Sequence, residues 1–220
     1  MPRDLRLKRS IHLTLLFAAL LWLIKLAEFS FGFSLHSWGV FPREVSHLSG
    51  IIFAPLIHGS FQHLFSNTLP LLLLGTAMLY GYPRARWISL LIIWLVSGVG
   101  VWLFARHSFH FGASGLTHGL FFFLFVSGIL RRDKRSIALL MIAFFMYGGM
   151  LLSIFPSDPS ISFEYHGFGA LGGVLSAWLF RRWDLPQPRQ YSWDVDPESD
   201  EDNAVGEAWK IRGEDREPPQ

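Results

Sequence analysis

The chain has 220 residues, of which 51% are hydrophobic and only 16% charged, with 21 Phe, 9 Trp and a mean hydropathy of +0.33. That charge content is well below the roughly 25% of soluble domains, and with no Cys present it excludes a soluble globule, a disordered chain, a disulfide scaffold and a thiolate metal site for the main body. The net charge of +2 conceals a split: residues 1–182 hold 15 bases and 6 acids, whereas residues 183–220 hold 4 bases and 11 acids.

The first part reads as a membrane domain and the second as a solvated acidic tail. A helix needs about 20 mostly apolar residues to cross the hydrocarbon core. Six stretches qualify in chain order: Ile11–Phe31, Phe61–Tyr80, Trp87–Phe104, Ser114–Leu130, Ser136–Phe155 and Tyr165–Phe180. The fold class expected is therefore all-α, a polytopic bundle of six transmembrane helices. The first stretch has a basic start but is too long, and too poor in small residues near its end, for a cleaved signal peptide. Lys25 and Glu28, three apart, are expected to pair on its face. The segment between the first two stretches, Gly32–Ser60, is semi-apolar and suits the membrane interface. Pro156 to Ser160 breaks the chain between the fifth and sixth.

Charge sets the orientation. Twelve Lys and Arg lie on one side (Arg3, Arg6, Lys8, Arg9, Arg84, Arg86, Arg131, Arg132, Lys134, Arg135, Arg181, Arg182), against Arg43 and Arg106 on the other. Both termini are placed in the cytoplasm. The tail from Trp183 onward is rich in acid and Pro, has no helical period, and reads as disordered. Its Trp193 and Trp209 leave open an unknown docking partner.

Polar groups within a bilayer are costly and usually functional. The second, fourth and sixth spans all start on the outer side, and each carries polar residues in its first turns: His63 and Asn67, Ser114, and His166. Alternating topology puts these at a similar depth. Ser114 opens a helix, where free N–H groups favour negative charge, and a serine needs a neighbouring base to become a nucleophile. His166 is the candidate base. His63 and Asn67, one turn apart, can donate toward an oxyanion. Gly115 and Gly119 on the fourth span and Gly169 and Gly173 on the sixth, each pair four apart, predict a close helix contact that brings serine and histidine together. Asp158 and Glu164 fall in the fifth loop, so the group is a Ser–His dyad without a carboxylate.

At these residues the sequence resembles the rhomboid family of intramembrane serine proteases. His58, His63 and Asn67 match its second-helix motif. Gly112-Ala113-Ser114-Gly115 matches its Gly-x-Ser-Gly nucleophile motif. His166, Gly169 and Gly173 match its His-x2-Gly-x3-Gly motif. The resemblance covers about residues 11–181. It implies Ser114 as nucleophile, His166 as base, and Asn67 and His63 as oxyanion donors, with His58 nearby as a structural or water-organising residue. It also implies the fifth helix and fifth loop as the substrate gate. Three departures stand out: the family's adjacent Trp-Arg pair is replaced by separated Trp38 and Arg43, its second-span Glu by Leu79, and the aromatic that packs on the base by His118. His118 either packs on His166 or competes with it as base.

The resulting expectation is an integral membrane endopeptidase, in a bacterial inner membrane, that cuts transmembrane segments of other proteins. It needs no cofactor or metal, and no nucleic-acid partner is expected. Two rivals are a catalytically dead relative that binds transmembrane helices and a histidine-based metal transporter or metalloprotease. The second lacks a His-Glu-x-x-His motif and an intramembrane carboxylate.

Overall fold

The computed structural model describes residues 3–156 and 161–185. The tail beyond residue 185, with its disorder and its two Trp, and most of the expected break at 156–160 lie outside the described residues.

The described residues form six principal helices: α1 (Arg3–Phe31), α2 (Phe61–Gly81), α3 (Arg86–Phe104), α4 (Ser114–Arg131), α5 (Lys134–Tyr147) and α6 (Phe163–Leu179). Five spans are long and apolar enough to cross a membrane, α5 being counted with the 3₁₀ turn Gly148–Leu151 that completes it; α6, at 17 residues, is shorter. The molecule is thus an all-helical integral membrane protein. Lys25 and Glu28 do pair, at 2.8 Å. The expected first span starts too late, because α1 runs back through the basic residues to Arg3.

Local chemistry sets the ends. Ser60 caps α2 by accepting the His63 N–H, and Ser162 caps α6 by accepting the Tyr165 N–H. Arg132, with φ +56°, ends α4 in the left-handed region, and Asp133 then caps α5 through the Ser136 N–H at 3.2 Å and Ser136 hydroxyl at 2.6 Å. The α4–α5 corner is therefore only two residues long.

Helix α4 is the centre of the bundle, 72% of its residues being buried. Its glycines let α6 approach backbone to backbone. A methyl group built on Gly169 would fall on the Gly115 carbonyl, and one on Gly173 would fall on the Gly119 carbonyl. The far side of α6 packs on α3, where a methyl on Gly172 would lie 2.9 Å from Ile93 Cα. This is the small-residue contact that the spacing predicted.

The helix ends away from the serine are fastened by Asp184. Its carboxylate accepts the Arg84 and Ala85 N–H groups at 2.9 and 3.0 Å, at the start of α3, while its carbonyl accepts from the Arg131 and Arg135 guanidiniums. Asp184 counted with the acidic tail in the sequence, yet it is buried and bound to the bundle. Replacing it with Ala strands the buried Ala85 N–H and the part-buried Arg84 N–H. A loss of about 1–3 kcal/mol is expected, measured as a lower thermal unfolding midpoint in detergent.

Segment 32–60 folds as short helical turns (His36–Trp38, Val45–His47, Gly50–Phe53, Ala54–Leu56) laid against the end of α3. Trp94 Nε1–H donates to the Ile51 carbonyl and Trp102 Nε1–H to the Glu44 carbonyl, both at 3.1 Å. The Arg43 N–H donates to the Trp102 carbonyl at 2.9 Å.

Candidate active site

The first turns of α2, α4 and α6 converge on one cavity of about 640 Å³. Ser114, His166, His63, Asn67 and His118 all line it. The four polar residues that the sequence assigned to one depth, on three co-directional helices, thus share one space. Three helix N-termini point toward it, so the local field favours negative charge there.

Ser114 is the first residue of α4, and the turn before it is clamped by segment 32–60. Val40 and His110 exchange both backbone hydrogen bonds at 2.9 Å. The Gly112 N–H donates to the Ala54 carbonyl at 2.9 Å, and the Ala113 N–H donates to His58 Nε2 at 3.2 Å. Gly112 has φ +117°, a conformation that requires glycine. A methyl there would also lie 2.6 Å from His63 Cε1. The Cε1–Nε2 edge of the His63 ring therefore abuts the turn that presents Ser114.

His58 acts on the backbone of this turn. Burial, followed by the charges of His63 and Lys25, pushes its imidazole down to about 3, so it stays a neutral acceptor for the Ala113 N–H. Its ring also meets His63 edge to face at 5.1 Å. Asn67 donates one amide hydrogen to the His63 carbonyl at 3.0 Å. Its amide carries a second hydrogen, and the side chain lines the cavity.

The His166 Nδ1 lies 3.0 Å from the Ser153 carbonyl. A carbonyl only accepts, so Nδ1 carries the hydrogen and Nε2 keeps its lone pair. That is the form a general base needs. His118 stacks on this ring, with centroids 3.9 Å apart and planes 11° from parallel. By the same logic the His118 Nδ1–H donates to the Ser114 carbonyl at 2.7 Å, and its Nε2 accepts the Ser153 hydroxyl at 2.7 Å. Both His118 nitrogens are engaged, which favours packing over service as a base.

One sequence expectation is corrected. Glu164 belongs to the first turn of α6, not to the fifth loop, and sits two residues before His166. It still supplies no third member of a triad. Its Oε1 faces Arg106, 3.4 Å from both the Arg106 N–H and guanidinium Nε.

Three contributors escaped the sequence reading. Buried His110 accepts the Ser162 hydroxyl at Nδ1, at 2.6 Å, and donates from Nε2 to the Arg106 carbonyl at 3.0 Å. Since Ser162 caps α6, this bond ties the turn before Ser114 to the start of the helix bearing His166. Burial lowers the His110 imidazole below its ordinary value, which keeps Nδ1 free to accept. Ser162 was findable as an N-cap serine three residues before Tyr165; nothing in sequence flags His110. Ser153 acts partly through its carbonyl, which every residue type carries.

Comparison with known proteins agrees with this frame. Residues 45–183 match the rhomboid domain. Two uncharacterized proteins, from Mycobacterium tuberculosis and Mycobacterium bovis, are each 39% identical over 175 residues, which is 75% of this chain and 72% of theirs. An uncharacterized protein of Mycobacterium leprae is 37% identical over the same length, 69% of that protein. With its domain match, its helical membrane frame and its convergent helix starts, the chain belongs to the rhomboid family.

Proposed function

We propose that this chain is an intramembrane serine endopeptidase that cleaves transmembrane segments of other membrane proteins. The observation that carries the reading is the state of His166. A carbonyl fixes its Nδ1–H and leaves Nε2 bare, in the same cavity as a serine that opens a helix. In this mechanism Ser114 Oγ attacks the substrate carbonyl while His166 Nε2 takes its proton. The proton then passes to the leaving amine, and a water repeats the cycle on the acyl-enzyme. The developing oxyanion lies between the Ser114 N–H, the Asn67 amide and the His63 ring. Gly112, Gly115, Gly169 and Gly173 hold this geometry rather than take part in it.

The charge count supports six spans with both termini in the cytoplasm, the cavity opening on the outer side of a bacterial plasma membrane. The catalytic domain extends past the expected boundary at 182 to include Asp184, which is bound to the bundle, and the acidic tail follows. Substrates are single helices weakened by Gly or Pro, because a regular helix hides its carbonyls.

A fluorophosphonate probe tests the nucleophile directly. Wild-type protein in liposomes is expected to be labelled, and Ser114→Ala is expected to lose the label. Intact protein that takes no label, while still binding a single-span helix, would instead identify a non-catalytic helix binder.

A further inference from the structure

Ser153 follows the 3₁₀ turn that closes α5 and touches both stacked imidazoles. Its carbonyl accepts from His166 Nδ1 at 3.0 Å, and its hydroxyl donates to His118 Nε2 at 2.7 Å. The same hydroxyl has the Met150 carbonyl at 3.2 Å as a weaker acceptor, and Met150 lines the cavity. One residue thus fixes the hydrogen placement on two rings, one from α4 and one from α6. A buried carboxylate does this work in a Ser-His-Asp triad, and here the only acid in the first turn of α6 is turned toward Arg106.

The segment that carries Ser153 follows the span with the smallest buried share of the five apolar ones. The span through α5 and its closing turn is only 11% buried, against 72% for α4 and 50% for α2. Sparse burial makes local undocking cheap. If the segment moves away, His166 loses the acceptor for its Nδ1–H. The imidazole is then free to rotate or to shift its hydrogen to Nε2, and either change removes the base.

We propose that Ser153 is a positioning residue, the third member of the catalytic group, and that docking of the segment after α5 switches the base between a competent and an idle form. The proposal rests on the protease reading above. It assigns to this segment control of the chemical step as well as any part in admitting substrate.

The test is steady-state cleavage of a single-span protein with a Gly-Pro-weakened helix, by full-length protein in liposomes. Ser153→Ala leaves His118 Nε2 without its donor. It is expected to lower kcat about tenfold with KM unchanged, a loss of the size of one hydrogen bond. Ser153→Thr retains the hydroxyl and is expected to recover kcat to within about twofold. Ile154→Pro restricts residue 153 to extended backbone and turns its carbonyl away, with an expected kcat loss of about 100-fold or more, toward that of a mis-set histidine tautomer. Should Ile154→Pro fail to fold, the Ala and Thr pair decides. Wild-type kcat in Ser153→Ala, or a loss confined to KM, overturns the proposal while the protease reading stands. Wild-type protein that cleaves no more than Ser114→Ala overturns both.

Discussion

Removing the Ser114 hydroxyl or the His166 imidazole is expected to lower the rate of substrate cleavage by about 10⁴- to 10⁶-fold. The size of the effect follows from the economy of the site. His166 is the ring held by a carbonyl at Nδ1 with Nε2 left to take a proton, while His118 spends both nitrogens on Ser114 and Ser153 and Glu164 faces Arg106. The two residues act as a unit, so the double variant Ser114→Ala/His166→Ala is expected to be no slower than the worse single one. Asn67→Ala and His63→Ala should retain more, losing about 100- to 1,000-fold each, because an oxyanion donor is one of several. These rates are read from cleavage of a single-span protein in liposomes, with the unfolding midpoint checked for each variant. A Ser114→Ala protein that cleaves within tenfold of wild type would rule out the serine mechanism.

A single methyl group at Gly169 or Gly173 is expected to cost as much as the loss of an oxyanion donor, although neither residue touches substrate. The added carbon would fall on the backbone carbonyl of Gly115 or Gly119. Backbone cannot rotate aside as a side chain can, so α4 and α6 must separate. Overpacking of this kind costs about 1–3 kcal/mol in stability. The greater effect is on rate: a displacement of about 1 Å between reacting groups costs on the order of 100-fold, and this seam sets the distance between the helices that bear Ser114 and His166. Gly167→Ala is the control. It lies next to His166, yet a methyl there meets nothing within 4 Å. It is expected to match wild type in rate and to equal or slightly exceed it in unfolding midpoint, because Ala is the better helix former. Equal losses at all three glycines would mean that contact with α4 does not govern the outcome.

Much of this was legible before any coordinates. Four of the six apolar stretches begin and end within about two residues of their helices, because hydropathy and length are the same constraint that the bilayer imposes. The Gly115, Gly119, Gly169 and Gly173 spacing announced the α4–α6 contact, since only small residues allow it. The basic start of α1 was misjudged. Arg6, Lys8 and Arg9 lowered its hydropathy, but they are good helix formers and do not break a helix. The end of the fifth span was also overdrawn: the α-helix stops at Tyr147 and finishes in a 3₁₀ turn around Gly148 and Gly149. Beyond the stacking of His118 on His166 and the cap at Ser162, the supporting network was not legible. His110 to Ser162 and Ser153 to His166 join residues 52 and 13 positions apart, and in the second the partner is a carbonyl. No residue alphabet encodes which carbonyl a ring will find.

The clamp on the turn before Ser114 has one consequence for how this outer segment tolerates change. Two of its three holds, Val40 with His110 and Ala54 with Gly112, are made by peptide groups alone. Their grip is indifferent to side-chain identity as long as the chain path is kept, so the missing Trp-Arg pair need not loosen the nucleophile. Among these hydrogen bonds only His58 enters as a side chain, while His36 stacked on Phe111 at 4.7 Å and Phe41 against Phe109 at 5.0 Å add ring contacts. One break in the main chain of residues 32–60 would therefore displace Ser114 from a distance.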